Sequence, residues 1–482
     1  MSLFSKIKES SLFSRWLMVF ITLEALSALA WFYPYISGAV LLFVAVLTVF
    51  LLFKQPIFSL YLPVAEIFWG SLGHSFDYYF INTRLLIFML VVFVFIIKHI
   101  KQFKNIKLFK NRNLFLIFFS LVFLILLGVV LGYVRSKDLG RVFLDANAYF
   151  YIFYLPIWYQ VYEERYLQNI LTILKTATLI VAIKTILLLN IFSQNYSFLN
   201  IDNIYKWVRD TRTGEITPFR DSFFRIFMQS QFYLIVAWLV IFIEQINNFK
   251  NKNSFWLSIV LSSAIFISLS RSFWLGLTVG LLFTLGHFIY QTKRISLNIF
   301  ISLAVMFLAS ILLVELAYNL PAYKSFNIFT QRSTDVSESA ASTRAQLWGP
   351  LWQNIAERPI FGHGFGQEIS FYSNDPRIKT VDNPSGWHTT YAFEWGWMDQ
   401  LVKGGLVLFL FFVAWIVYLY RRTYRFLSNE PVISLALMAT LTSLIIIHIF
   451  TPYLNHPLGL SVLMLASIIF IPYAQKTTNS DH

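Results

Sequence analysis

The sequence predicts an all-α, polytopic membrane helix bundle of about 12–14 spans with one long extracytoplasmic loop domain. Of its 482 residues, 57% are hydrophobic and 13% are charged. A soluble fold of this size carries about 25% charged residues to cover its core, so lipid must act as part of the solvent of this chain. The 51 Phe, 25 Tyr and 14 Trp suit lipid-facing walls and interfacial belts. A soluble enzyme, a disordered protein and a secreted disulfide scaffold are excluded.

The predicted spans are runs of about 20 mostly apolar residues, the length that crosses a bilayer as a helix. In chain order they cover residues 16–32, 36–53, 57–73, 80–97, 114–134, 142–161, 170–192, 224–243, 255–269, 273–290, 295–316, 401–418, 433–450 and 458–473. The third and fourth runs are alternatively half-embedded segments, which accounts for the range in the span count.

The charges of the short loops predict the orientation of these spans. The N-terminal segment 1–15 is basic and has no small-residue cleavage pattern, so the first run is a retained signal anchor. Alternate threading from a cytoplasmic N-terminus then puts nearly every short basic loop on the cytoplasmic side, as the positive-inside rule requires. The exception is the outer connection that holds Arg135, Lys137 and Arg141. Both termini are expected in the cytoplasm.

Two outer segments stand apart by their length, which is typical of functional or disordered loops. The predicted organisation is therefore an N-terminal transmembrane bundle (1–192), a first extracytoplasmic loop (193–223), central transmembrane helices (224–316), a large extracytoplasmic loop with an amphipathic helix (317–396), and C-terminal transmembrane helices with a short cytoplasmic tail (397–482). The large loop is expected to be ordered, because its charges are interspersed with aromatic residues that include Trp348, Trp352, Phe361, Phe365 and Phe371.

The charge and cysteine counts limit the partners. The formal net charge of +14 belongs to basic cytoplasmic loops of a membrane protein, so we expect a lipid bilayer and no nucleic acid as partner. With no Cys, the chain has neither disulfides nor thiolate metal ligands. The outer loops contain no acidic pair with metal-ligand spacing. We therefore expect chemistry that needs no metal and no cofactor.

The strongest local pattern is residues 342–366, with the sequence STRAQLWGPLWQNIAERPIFGHGFG. Ser342 is a plausible N-cap, and the apolar residues that follow recur at helical spacing. Pro359 ends this helix, and the three glycines after it predict a sharp return of the chain. A surface helix with its Trp residues at headgroup level is the simpler interpretation. Arg344, on the polar first turn, is the candidate binding residue.

Three further patterns hold candidate site residues on the outer side. His388 lies in WHTTYAFE before the chain returns to the membrane, and Arg271 lies in the tight turn SLSRSFWLG. Arg220 and Arg225 lie just before or inside the eighth predicted span. Each alone is weak, because an arginine at a helix end usually snorkels and a lone histidine is usually a satisfied polar group. Together with Arg344 they form a candidate site on one side of the membrane.

These motifs resemble the O-antigen ligase superfamily, which includes O-antigen ligases and Wzy-type O-antigen polymerases. The resemblance lies in S-x-R-x-x-x-W…P-x-x-G-x-G-x-G, the following His and Gly-Gly-Leu, and the upstream Ser-Arg-Ser turn, and it extends from Arg220 to Leu408. It implies that outward arginines bind the diphosphate of an undecaprenyl-linked glycan while a loop histidine activates the acceptor. Arg225, Arg271 and His388 match those elements, with Arg220 a competitor for Arg225.

The chain departs from the ligase pattern after the histidine. Thr389 stands where ligases usually have an amide, and Asp399 stands where they usually have a glycine. The resemblance implies a donor with an undecaprenyl-diphosphate-linked glycan and, as acceptor, a glycolipid or another lipid-linked glycan, at the outer face of the inner (cytoplasmic) membrane. Ligase and polymerase both remain open.

The implied chemistry fits these side chains. A lipid diphosphate leaves with negative charge, which arginine can bind as a planar, permanently charged fork. An acceptor hydroxyl needs a base that titrates near neutrality, as histidine ordinarily does. Glu394 and Asp382 are candidates for orienting His388.

A multi-span transporter or lipid-linked-glycan flippase is the alternative from another class. Such proteins usually show repeats and sites near the bilayer midplane, and no repeat is visible here. Glu66 and Lys184 do lie near the middle of predicted spans, where charges are functional candidates or form a structural ion pair. A metal-dependent polyprenyl-phosphate-sugar transferase is a second rival, but the first outer loop lacks the acidic residues it would need.

Overall fold

The computed structural model describes residues 3–99, 108–219, 222–247, 252–292, 297–318, 328–330, 332, 339–375, 378–380 and 382–478. The chain divides into two compact units. The first contains Met1–Lys107, Ile157–Thr330 and Leu427–Thr440, and the second contains Leu108–Pro156, Gln331–Phe426 and Leu441–His482.

Helices make up most of the described chain. They are, in order, α1 (Leu3–Phe32), α2 (Pro34–Lys54), α3 (Phe58–Trp69), α4 (Thr83–His99), α5 (Arg112–Ser136), α6 (Leu139–Ala146), α7 (Tyr154–Val161), α8 (Leu167–Gln194), α9 (Ile201–Asp210), α10 (Phe232–Asn247), α11 (Lys252–Ile267), α12 (Arg271–Thr292), α13 (Leu297–Tyr318), α14 (Ser339–Glu357), α15 (Gly396–Arg425), α16 (Pro431–Phe450) and α17 (Pro457–Thr478). The strands form three antiparallel hairpins among the described residues: β1 (Asp77–Tyr78) with β2 (Ile81–Asn82), β3 (Glu215–Pro218) with β4 (Phe224–Phe227), and β5 (Ile369–Tyr372) with β6 (Trp387–Thr390).

Nine helices within the described residues are long and apolar enough to cross a membrane, and three shorter apolar helices accompany them. The nine are Ser11–Phe32, Pro34–Lys54, Arg112–Ser136, Glu164–Gln194, Gln229–Asn247, Arg271–Gln291, Leu297–Tyr318, Gly396–Arg425 and Pro431–Phe450. Only 11% of the apolar 18-residue stretch in the first of these helices is buried within the protein, as expected of a helix that is surrounded by lipid. The predicted fold class, an all-α polytopic membrane protein, is confirmed.

Four of the predicted spans begin, end or continue differently. The third ends early because α3 stops at Trp69 and Ser71 adopts a left-handed conformation (φ 50°). The β1–β2 hairpin occupies the start of the fourth, and strand β4 occupies the start of the eighth. The sixth is broken into α6, the 3₁₀ helix Asn147–Phe153 and α7. Pro156, in the first turn of α7, lacks the N–H group that an uninterrupted helix would need at this position.

Ion pairs stabilise the buried charges of the first unit. Arg84 donates to Glu66 over 2.8 Å, and both side chains are 5% exposed. Lys184 donates to Glu24 over 2.8 Å and stacks on the indole of Trp207. The hypothesis that Glu66 and Lys184 pair with each other is therefore wrong. Glu66 binds Arg84 and Lys184 binds Glu24, and both of these partners also lie in predicted spans.

The core of the second unit joins α14, the β5–β6 hairpin and the start of α15. It consists of Leu347, Leu351, Ile355, Ile369, Phe371, Phe393, Met398 and Val402, all at most 7% exposed. The helical spacing of the first three explains the face of α14 that is buried. Trp348 and Trp352, on the same predicted apolar face, remain about half exposed at 43% and 48%. This core supports the pocket described below.

Candidate functional site

The glycine-rich turn predicted after Pro359 fills a break in helix α15. Gly405 leaves the helical conformation (φ 64°, ψ −167°), so the carbonyls before it and the N–H groups after it lose their intrahelical partners. The turn replaces them: His363 N–H donates to Val402 O (2.7 Å), Gly364 N–H donates to Lys403 O (2.9 Å), and Leu406 N–H donates to Pro359 O (2.8 Å). Within a bilayer such a break persists only if its backbone groups are satisfied by protein.

The turn also packs closely against helix α5 of the same unit. Gly364 has a φ of +91°, and a Cβ there would lie 2.2 Å from the backbone N of Gly132. Arg135 donates to Gly362 O over 2.8 Å. Arg135, which the predicted topology places on the outer side against the positive-inside rule, thus binds the turn through its guanidinium.

A pocket of about 330 Å³ borders the hydrophobic core of this unit. It is lined by Thr343, Arg344, Leu347, Phe371, Asp375, Ile378, His388, Thr390, Ala392 and Glu394. Three of the sequence-predicted site residues, Arg344, His388 and Glu394, are therefore brought together. The pocket combines an imidazole, an ion pair and hydroxyl groups with an apolar floor, which is the mixture that binds a polar ligand in a fixed orientation.

Arg344 and Glu394 form an ion pair at the edge of the pocket. Arg344 Nε donates to Glu394 Oε2, and Arg344 is 34% exposed. The indole N–H of Trp395 donates to the carbonyl of Arg344 over 2.9 Å, which fixes the first turns of α14 against the start of α15. Glu394 is thus engaged with Arg344, and the expected role of Glu394 in orienting His388 has no hydrogen bond to support it among the described residues.

His388 is the half-buried base candidate of the pocket. It stands on β6 opposite Phe371 of β5, whose ring meets the imidazole edge-on with centroids 5.8 Å apart. Within the described part of the chain the imidazole makes no hydrogen bond, and neither Asp382 nor Glu394 binds it. Both ring nitrogens are consequently available to a ligand.

A second histidine of this unit, His363 in the glycine-rich turn, has a structural role. It is buried, and its Nε2 lies 2.8 Å from the carbonyl oxygen of Asn354. Burial lowers the pKa of His363 below its ordinary value, the hydrogen bond to Asn354 opposing this. The ring therefore stays neutral at pH 7 and donates to that carbonyl.

In the first unit, Arg225 and Arg271 lie at one helix end. Arg271 is the first residue of α12, after the tight turn that follows α11. Arg225, on β4, donates through Nε to Ser268 O of that turn over 2.9 Å. Phe227 of β4 stacks on Phe273 of α12 with centroids 5.5 Å apart. Arg225 thus precedes the eighth span and lies outside it, while Arg220 lies outside the described residues.

Several polar residues of the second unit were missed by the sequence analysis. Thr343 contacts Ser373 (3.0 Å) and Asp375 (3.4 Å) beside the pocket, and the last two are buried. Lys403, near the start of α15, binds Asp145 and Asp399. Lys403 and Asp145 lie inside predicted apolar spans, and a charge in such a position is a candidate functional residue. Their partners could not be read from the sequence, because Asp145 and Lys403 are far apart along the chain.

No group of three or more His, Asp or Glu residues that could hold a metal ion comes together within the described ranges. Metal independence of the reaction stays a prediction.

The fold and the site define a polytopic membrane protein with a pocket that holds a histidine and an arginine–glutamate ion pair. Residues 256–413 match the family described as O-Antigen ligase. This match identifies an O-antigen ligase domain within the chain and supports an O-antigen ligase/polymerase-type membrane enzyme. The match includes Arg271, Arg344 and His388. No curated protein matches the chain.

Proposed function

We propose that the protein is a glycosyltransferase that acts at the outer face of the inner membrane. It transfers or polymerises a glycan from an undecaprenyl-diphosphate-linked donor onto an acceptor hydroxyl, without a metal ion. The acceptor is a glycolipid or a second lipid-linked glycan, which makes the protein an O-antigen ligase or an O-antigen polymerase.

The observation that carries the proposal is the pocket with His388, Arg344 and Glu394, which lies in the part of the chain that matches the family. The imidazole of His388, which makes no hydrogen bond among the described residues, can accept a proton from an acceptor hydroxyl. The Arg344–Glu394 pair supplies both a donor fork and an acceptor carboxylate for sugar hydroxyls. The apolar floor formed by Leu347 and Phe371 suits the ring face of a sugar.

The arginines of the first unit suit the donor. Arg225 is held by Ser268 O through Nε, which fixes its guanidinium beside the turn that precedes α12. Arg271 opens α12, where backbone N–H groups and the helix dipole also favour an anion. A diphosphate bound here would have its developing negative charge stabilised as the sugar departs.

The reaction balances without a co-reactant. His388 takes the acceptor proton as the acceptor oxygen attacks the anomeric carbon of the donor sugar. The bond from that carbon to the diphosphate oxygen breaks, and the electron pair leaves with undecaprenyl diphosphate. The proton on His388 then passes to solvent, and the histidine is neutral for the next turnover.

The test is a reconstituted assay in proteoliposomes with purified undecaprenyl-diphosphate oligosaccharide. Longer lipid-linked chains from donor alone identify a polymerase, and transfer only after a second glycolipid is added identifies a ligase. Both reactions are expected to survive EDTA. No transfer under any of these conditions, or loss on chelation with recovery in Mg²⁺ or Mn²⁺, contradicts the proposal.

A further inference from the structure

A buried charge cluster in the second unit takes no part in the transfer described above. Lys403 Nζ lies 2.6 Å from Asp145 Oδ1 and 2.6 Å from Asp399 Oδ1, and all three side chains are at most 8% exposed. The second oxygen of each carboxylate is also bonded. Gly366 N–H donates to Asp145 Oδ2 over 2.7 Å, and Asn455 Nδ2 donates to Asp399 Oδ2 over 2.6 Å. Charges at such positions are costly and are usually retained for a role.

The cluster is bonded to the glycine-rich turn at two points. The carbonyl of Lys403 accepts the N–H of Gly364 over 2.9 Å. Its ammonium group holds Asp145, whose other oxygen accepts the N–H of Gly366. One lysine therefore fixes the turn both through its backbone and, by way of Asp145, through its side chain.

The ammonium group of Lys403 also contacts the hydrophobic core that underlies the pocket. Lys403 Nζ is 5.3 Å from the ring centroid of Phe393. Phe393 belongs to the core that includes Leu347 and Phe371, two residues that line the pocket. The residue after Phe393 is Glu394, which binds Arg344. A displacement of Lys403 would therefore be passed directly to the edge of the pocket.

We propose that Lys403, held between Asp145 and Asp399, is a positioning residue of the pocket. It fixes the glycine-rich turn and the Phe393–Glu394 edge in the arrangement in which Arg344 and His388 face the substrate. The catalytic part of this inference rests on the proposed function. A cluster that only stabilises the fold would be replaceable by apolar groups of similar volume.

The decisive variant removes the three charges together and keeps the side-chain volumes: Lys403→Met, Asp145→Asn and Asp399→Asn. Because no charge is left without a partner, the triple variant is expected to melt near the wild-type temperature. Its kcat is expected to fall at least about 10-fold with the donor KM nearly unchanged, since a misplacement of about 1 Å can cost about 10²-fold. A folded triple variant with wild-type kcat overturns the proposal.

Asp145→Asn alone provides a second route if the triple variant does not fold. It leaves Lys403 and Asp399 as a balanced pair, but a single amide oxygen cannot serve both Lys403 and Gly366 as two carboxylate oxygens do. Because one buried hydrogen bond is lost, the variant is expected to melt somewhat below the wild type and to have a reduced kcat. A folded variant with wild-type kcat contradicts the positioning role.

A measurement that needs no activity separates the two proposals. The chain has no Cys, so cysteines introduced at the exposed residues Gln353 and Asp382 can carry a pair of spin labels on α14 and before β6. The distance distribution is expected to broaden in both charge variants relative to the labelled wild type. If it broadens while the wild type shows no glycan transfer, the positioning of the pocket stands and the proposed reaction falls. An unchanged distribution in a folded variant overturns the positioning proposal whatever the activity.

Discussion

Replacement of Gly405 by alanine tests the broken helix on which the site depends. Gly405 has φ 64° and ψ −167°, a conformation that L side chains rarely adopt. A Cβ there would lie 2.2 Å from Ile360 O and 2.6 Å from Gly362 N, so the backbone of the turn would have to move.

Two parts of the structure set the magnitude of the effect. An alanine held in this backbone conformation would cost about 1–3 kcal/mol. Movement of the turn would also break the hydrogen bonds from Leu406 N to Pro359 O and from Val407 N to Ile360 O, now 2.8 and 3.2 Å long. Each of these two hydrogen bonds contributes about 0.5–1.5 kcal/mol net. Together with the backbone strain, their loss gives about 2–6 kcal/mol, a large part of the roughly 5–15 kcal/mol by which a domain is stable.

The assay is thermal unfolding of the purified protein in detergent, followed by Trp fluorescence. Gly286→Ala is the matched control, because Gly286 lies in helix α12 and a Cβ there would meet nothing within 4 Å. Alanine in a helix is favoured over glycine by about 1 kcal/mol, so the control should melt no lower than wild type. Equal melting of the two variants would refute the assigned role of the turn.

Three further predictions concern single side chains. Arg271→Lys keeps the charge but loses the planar fork, so donor affinity measured with labelled lipid-linked glycan should fall clearly; unchanged affinity would transfer the role to Arg225. Replacing only one of Glu66 and Arg84 should cost about 3–5 kcal/mol, and replacing both by apolar residues should recover much of it in melting experiments; equal losses in single and double variants would contradict this. Because burial lowers the pKa of His363 in the folded state, the unfolded state binds more protons, and stability should fall as pH drops below about 6.5. His363→Gln should lessen that acid dependence, and a variant with the same dependence would exclude His363 as its source.

Much of the fold could be predicted because lipid imposes a strong pattern. Long apolar runs such as 114–134 and 295–316 became α5 and α13 with small shifts of their ends. Short elements were missed where polar and aromatic residues alternate without a helical period. Strand β4 is an example, since its pairing with β3 depends on residues outside the apolar run.

The sequence singled out three residues that line the pocket, but it did not predict their contacts. Gly362, Gly364 and Gly366 signal a turn, but the residues that the turn caps lie about 40 positions later at Val402 and Lys403. Likewise the sequence suggested that Glu394 orients His388, whereas in the structure Glu394 forms an ion pair with Arg344. Such pairings depend on tertiary packing, which a single sequence specifies only through the whole fold.

The measurement that tests the central claim most directly compares donor binding with transfer in His388→Ala. Purified wild type and variant are loaded with undecaprenyl-diphosphate glycan, and a single turnover to the acceptor is followed. The expected result is donor affinity near wild type with a transfer rate lower by about 10²–10⁴-fold, the usual contribution of a general base. Wild-type transfer by the variant, or loss of donor binding with an unchanged rate for the donor that remains bound, would contradict His388 as the residue that activates the acceptor.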